Sequence, residues 1–207
     1  YDYEKPQGEN REIKLVYALN CEKPPIIHAN TGEILDYSGD VYRDFLSFGY
    51  TDIDSSYAKD KISTLAQYGV GFNSERFKPK EEIKQKDFIY LLFKSINTYR
   101  DLTEEDIDKI YDEFTKSRII KDGERDPERI VTKEEAVMYV IRAMNYAKIA
   151  EIPEIFQDLF DDSADITPGL NGHINIAFEG DGNGNINPKA KLKREDAASI
   201  IYNYMFN

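Results

Sequence analysis

Two histidines, one cysteine and 39 carboxylates are the side chains from which this chain could build a reactive centre, and their spacing speaks against most of the chemistry they suggest. A nucleophile–base–acid set would have only His28 and His173 to supply its base. Cys21 stands alone, so it closes no intrachain disulfide and builds no metal site by itself. His28 has no second ligand at helical or hairpin spacing and reads as an ordinary strand residue. Asp181-Gly182-Asn183-Gly184-Asn185 sets oxygen ligands at alternate places, as the first half of a calcium loop does. The sixth position is Ile186 and the twelfth Leu192, however, where such a loop needs glycine and glutamate, so the run is read as a polar turn. The neighbouring acids Asp161-Asp162 and Glu134-Glu135 suit helix capping or a solvated face, because adjacency does not place two carboxyls across a scissile bond. No complete Walker loop or nucleotide fingerprint is present. The expectation is a chain without catalysis and without a metal or cofactor.

At 207 residues, folding could remove roughly 70% of the unfolded surface from water. No apolar run approaches the ~20 residues of a bilayer span, so no membrane span is expected. The formal charge of -12 argues against nucleic acid as a partner, since the Lys/Arg clusters are all interleaved with acids. An anionic ligand must then be held by a local pocket. The chain starts at Tyr1 with no basic-then-apolar leader, and is read as a piece of a longer polypeptide.

The front of the chain, residues 1–41, is read as β-rich. Glu12 to Leu19 alternates apolar and polar, and two β-prone pieces flank Asn30-Thr31-Gly32, where glycine suits a tight turn. From Tyr42 the pattern turns helical. Asp54-Ser55-Ser56 opens a helix through Ile62 and Leu65 that ends near Gly69. Phe88, Leu91, Leu92 and Ile96 then form a stripe on a helix predicted from about 80 to 98. Thr103 caps an acid-rich helix start with the stripe Ile107, Ile110, Tyr111 and Phe114, and the next helix carries Ala136, Val137, Val140, Ala143 and Met144. A third pair runs from Phe160 past Ile174 and Ile176, through a glycine-rich loop, to a helix with Ala197, Ile200, Ile201 and Tyr204.

One pattern occurs three times. Pro79, Pro127 and Pro188 each precede an aliphatic residue (Ile83, Val131, Leu192) by four places, and a carboxylate (Asp87, Glu135, Asp196) follows that residue by four. Gly71 to Pro79 and Gly180 to Pro188 are both eight residues, while the second copy is shortened there. Helix pairs of this size expose too much apolar stripe to stand alone, and three copies favour a closed cluster over an extended array. The expected fold is mainly α: a pseudo-threefold bundle of three helix–loop–helix units, over 42–99, 100–152 and 153–207, behind the short β segment.

Tyr50-Thr51-Asp52, Gly69-Val70, Phe77-Lys78-Pro79 and Ile83 in the first copy, and Phe160-Asp161-Asp162, Gly172-His173-Ile174, Pro188 and Leu192-Lys193-Arg194-Glu195-Asp196 in the third, resemble S-layer homology (SLH) repeats. The second copy keeps Ile119-Ile120, Pro127 and Val131-Thr132-Lys133-Glu134-Glu135. Leu15-Val16-Tyr17 and His28 to Glu33 resemble the end of a PepSY-type domain. The SLH resemblance implies a module of a secreted Gram-positive surface protein, anchored at the cell wall by a pyruvylated secondary cell wall polymer, an anionic polysaccharide held in grooves between repeats. It implies an extracellular place on the cell surface and a monomer. The family's contact for the anion is an arginine, which corresponds here to Gln85, Lys133 and Arg194. A guanidinium can grip a carboxylate by two charge-assisted bonds, so Arg194 is ranked first, then Lys133, then Gln85. Lys193 beside the motif, Thr132 at a helix start, and Asp52 and Asp162 in the Phe-x-Asp segments complete the expected polymer-binding set. His173 fills a place that is often Tyr in the family. A second expectation is that the repeats serve as a protein-interaction or spacer module.

Overall fold

A short β-strand is the first element among the described residues. In this computed structural model the residues described are 15–18, 26–30, 32, 34–35, 49–97, 102–152, 155–178 and 184–206, and the chain divides into two compact units, 1–46 and 47–207. The predicted onset of helix at Tyr42, Cys21, and residues 181–183 of the glycine-rich loop lie outside the described residues.

The first unit holds a three-stranded antiparallel sheet of β1 (Val16–Ala18), β2 (Ile26–His28) and β3 (Ile34–Leu35), in that order. Val16 faces His28 and Ile27 faces Ile34. Gly32, at φ 73°, donates its N–H to the His28 carbonyl at 2.9 Å, the left-handed turn that a residue without Cβ adopts freely.

The second unit is helical: α1 (Lys59–Gln67), α2 (Gln85–Ile96), α3 (Ile107–Lys116), α4 (Lys133–Ala143), α5 (Ala147–Ala150), α6 (Asn171–Ala177) and α7 (Arg194–Phe206). In α1 the three- and four-residue spacing of Ile62, Leu65 and Ala66 puts them on the buried face, and Gly69 at φ 72° ends the run. Ahead of α3, Thr103 accepts the Glu105 N–H, and Asp106 accepts the Thr103 N–H, as the predicted cap requires.

The predicted helix over 80–98 begins only at Gln85. Residues 81–84 are taken instead by a backbone junction. Ile83 N–H donates to Leu192 O (2.8 Å), Leu192 N–H to Val131 O (2.8 Å), and Val131 N–H to Ile83 O (3.0 Å), which closes a ring of three. The next layer repeats the cycle: Gln85 N–H to Arg129 O, Lys133 N–H to Ala190 O and Arg194 N–H to Glu81 O. One residue further into each helix, Lys86, Glu134 and Glu195 donate to the carbonyls of Pro127, Pro188 and Pro79. Backbone donors that a helix start leaves unsatisfied thus find partners in another segment. The ring residues Ile83, Val131 and Leu192 are all buried.

Beside this junction run three ion pairs. Lys80 meets Glu195 at 2.8 Å, Lys189 meets Glu134 at 2.5 Å, and Lys86 meets Glu128 at 2.5 Å. In the first two the lysine follows the proline and the acid lies on the helix. In the third the charges are exchanged, the acid following Pro127 and the lysine lying on α2.

The core forms two clusters, with α4 contributing to both. Phe88, Leu92, Ile110, Tyr111, Val131, Tyr139 and Ile201 are among the residues of the larger one; Val137, Ile141, Ala150, Ile166, Ile174 and Ile186 form the smaller. The predicted single stripe on α4 was too narrow. Residues 136–142 are all buried, because packing on two sides leaves the helix almost no solvent face. At Gly172 a Cβ would lie 2.1 Å from the Ala150 carbonyl oxygen, so the start of α6 depends on glycine to pass the end of α5.

Candidate functional site

The three helix-start positions ranked from the sequence are set alike by the backbone and employed differently. Each reaches toward the loop ahead of a proline. Arg194 Nε donates to the Phe77 carbonyl at 2.7 Å, Lys133 Nζ to the Ile186 carbonyl at 2.8 Å, and Gln85 Nε2 to the Glu124 carbonyl at 2.8 Å. Gln85 is wholly buried. Its Nε2 also donates to the Tyr139 hydroxyl, and its Oε1 accepts from the Tyr111 hydroxyl and the Asp126 N–H, all within 2.9 Å. Every polar valence of that amide is used inside the protein, which makes Gln85 a brace, with nothing left for a ligand.

Arg194 retains unused donors. Its guanidinium lies 3.8 Å from the Phe72 ring centroid, and Nη1 meets Asp87 Oδ2 at 3.1 Å. Burial raises the Asp87 carboxyl above its ordinary range despite the arginine. Burial, and then the charge of Asp87, raise Glu104 likewise. Arg194 therefore acts beside two carboxyls that take up protons more readily than usual. Lys133 lies 5.0 Å from the Phe178 ring centroid, and burial lowers its pKa against the pull of Asp162 and Asp196.

The remaining sequence candidates are occupied with the fold. Asp52 accepts the N–H groups of Phe77 and Lys78, both at 2.9 Å, and Asp162 those of Ile186 and Asn187, at 3.0 and 2.7 Å. These matching clamps hold Lys78 (φ 59°) and Asn187 (φ 52°) in left-handed backbone just before each proline. Thr132 is bound into a capping box by Glu135, at 2.9 and 3.0 Å. Lys193 pairs through its backbone with Glu82, and its N–H donates to Asp196. Its side chain is exposed.

A scan against known protein families finds no match, and a search of curated proteins finds none. The geometry of this chain alone must then identify its sites.

A cleft of about 620 Å³ lies beside the Gln85 brace, between the 121–126 turn, α4 and the 167–173 segment. Sequence reasoning found none of its polar residues. Arg142 holds Glu124 through two bonds, at 2.6 and 3.0 Å, and donates to the Ile119 carbonyl. Lys121 meets Glu151 at 2.7 Å, and Arg129 meets Glu135 at 2.5 Å. Burial is the largest influence on Glu124, but the bonds from Arg142 and from the Lys121 N–H, with the charges of both residues, together keep its pKa below the usual range; the bond from Lys121 keeps Glu151 low likewise. His173 is buried, and neither ring nitrogen has a hydrogen bond of proper geometry among the described residues. The Gly169 backbone lies close by, and Glu151 Oε1 is 3.9 Å from Nε2. Burial, and then Arg142, depress its pKa, so the ring is neutral near pH 7. The available signal was Arg142 inside the apolar run of α4, a charge that a buried helix carries only when paired.

Proposed function

We propose that this chain is a non-catalytic module that anchors an extracellular protein to the cell surface by binding an anionic secondary cell wall polymer, and that its repeats form a pseudo-threefold bundle of the SLH type. The observation that carries the reading is the closed ring of Ile83, Val131 and Leu192. The same register continues through 85, 133 and 194, as expected if three copies of one unit share an axis. The three-stranded sheet at the front is compatible with the end of a PepSY-type domain. In this reading Arg194 makes the leading polymer contact and Lys133 a secondary one.

Retention on purified cell-wall sacculi tests the proposal. Native walls should hold the protein, walls stripped of polymer or of its pyruvyl groups should not, and Arg194→Ala should lose most of the retention. Equal retention on stripped walls would overturn it.

A second reading, that the repeats are a protein-interaction or spacer module, draws on one observation: Gln85, Asp52 and Asp162 are committed to internal bonds. No uptake by native walls, together with self-association or binding to another part of a parent protein, selects it.

A further inference from the structure

The cleft beside α4 differs in chemistry from the surroundings of Arg194. Its three cations are all in ion pairs, and Asp126 and Glu134 also line it; with Lys189, which pairs with Glu134, counted among the cations, carboxylates still outnumber them by five to four. An acid entering it would meet a net negative wall and no free guanidinium face. Met138, Pro168 and Leu170 supply an apolar surface. Among the described residues, the buried polar atoms of the lining that lack a hydrogen bond of proper geometry are Arg142 Nε and both nitrogens of His173, which has the Gly169 backbone close by. A neutral imidazole offers one donor and one acceptor, and Nε–H one donor. Such a set matches a group that both gives and takes hydrogen bonds without carrying charge. The ion-paired carboxylates are in addition good acceptors for neighbouring hydroxyls, and the volume suits one or two sugar rings.

We infer that this cleft binds an uncharged sugar residue, with its hydroxyl and amide groups on the ion-pair rim, on Arg142 Nε and on His173, and that it rejects acidic sugars. The inference rests on the polysaccharide reading above for the class of ligand and adds the charge that this cleft selects. Arg142 Nε and the ring nitrogens lie beneath the surface that water reaches. The ligand meets them when the exposed Lys121–Glu151 pair swings aside, which gives His173 its missing partners.

Titration of the intact chain with the neutral disaccharide of N-acetylglucosamine, followed by the imidazole resonances of His173, tests this against the disaccharide of galacturonic acid. The neutral probe should shift those resonances in a saturable way and bind at least tenfold more tightly than the acid. The variant His173→Phe should lose that binding by tenfold or more with a melting temperature equal to or above the parent's, so misfolding cannot account for the loss. Equal or tighter binding of the acid, or a His173 that neither sugar perturbs, would overturn the inference. Wall retention that still depends on Arg194 would in that event leave the anchoring proposal standing.

Discussion

The surroundings of Arg194 and the cleft beside Gln85 begin from the same backbone arrangement and reach opposite electrostatic ends. In the first, the residue that opens the helix is a guanidinium with donors to spare, and it sits among carboxyls that burial makes ready to accept protons. In the second, the corresponding residue is a saturated amide, and the guanidinium comes from Arg142 on α4. There it is neutralised by Glu124. Hydrogen bonds of the main chain fix where the two regions lie, and side chains that the junction does not use decide what each one favours.

Removing Arg142 should break the comparison most severely. Arg142→Ala strands the Glu124 carboxylate and the Ile119 carbonyl in a mostly dry site, and should cost about 3 kcal/mol in urea unfolding. Next, Gln85→Leu should cost about 2 kcal/mol by leaving two tyrosine hydroxyls and two backbone groups without partners. It should leave wall retention intact in the fraction that folds, whereas Arg194→Ala should show the reverse pattern. If Gln85→Leu lost more retention than Arg194→Ala, the assignment of brace and contact would be exchanged.

Acid should sharpen the contrast. Asp87 and Glu104 ionise above the ordinary carboxylate range, and when charged they oppose an anionic ligand. Retention on walls should therefore rise severalfold as pH falls through the raised values, and Asp87→Asn should reproduce part of that gain at neutral pH. At His173 the sign concerns stability. Its folded pKa lies below the unfolded value of about 6.5, so the unfolded chain binds the proton first. The stability is fully present above that value and is lost as pH falls from there through the depressed one. His173→Phe should flatten that part of the pH–stability profile.

The mainly helical content, the cap at Thr103 and the order of the helix starts were legible because propensity, periodicity and capping are local; Thr132 was expected to meet polymer and is bound in a cap instead. Legible too was the equivalence of Gln85, Lys133 and Arg194, which spacing alone marks. The role of each was not legible. Gln85 looked like a weakened site because its partners Tyr111, Tyr139, Glu124 and Asp126 are distant in sequence. Asp52 and Asp162 looked like ligand contacts, and are clamps on backbone that the sequence does not mark as left-handed. The cleft beside Gln85 escaped notice because Arg142 and His173 belong to different helices and meet only after folding.

The ring through Ile83, Val131 and Leu192 also bears on how the chain reaches its native state. Ser56 and Glu195, bonded at 2.8 Å, stand 139 residues apart, so the junction cannot close until nearly all of the second unit has been synthesised. Until α7 arrives, the segments around Ile83 and Val131 keep one neighbour and lack the other, and the apolar faces of α1 and α2 wait uncovered. Long-range closure of this sort slows folding and makes it cooperative, since each contact gains its full worth only when the circuit is complete. A chain interrupted before Leu192 would leave this circuit open and its apolar faces exposed to aggregation, with no shortened but working module among the products.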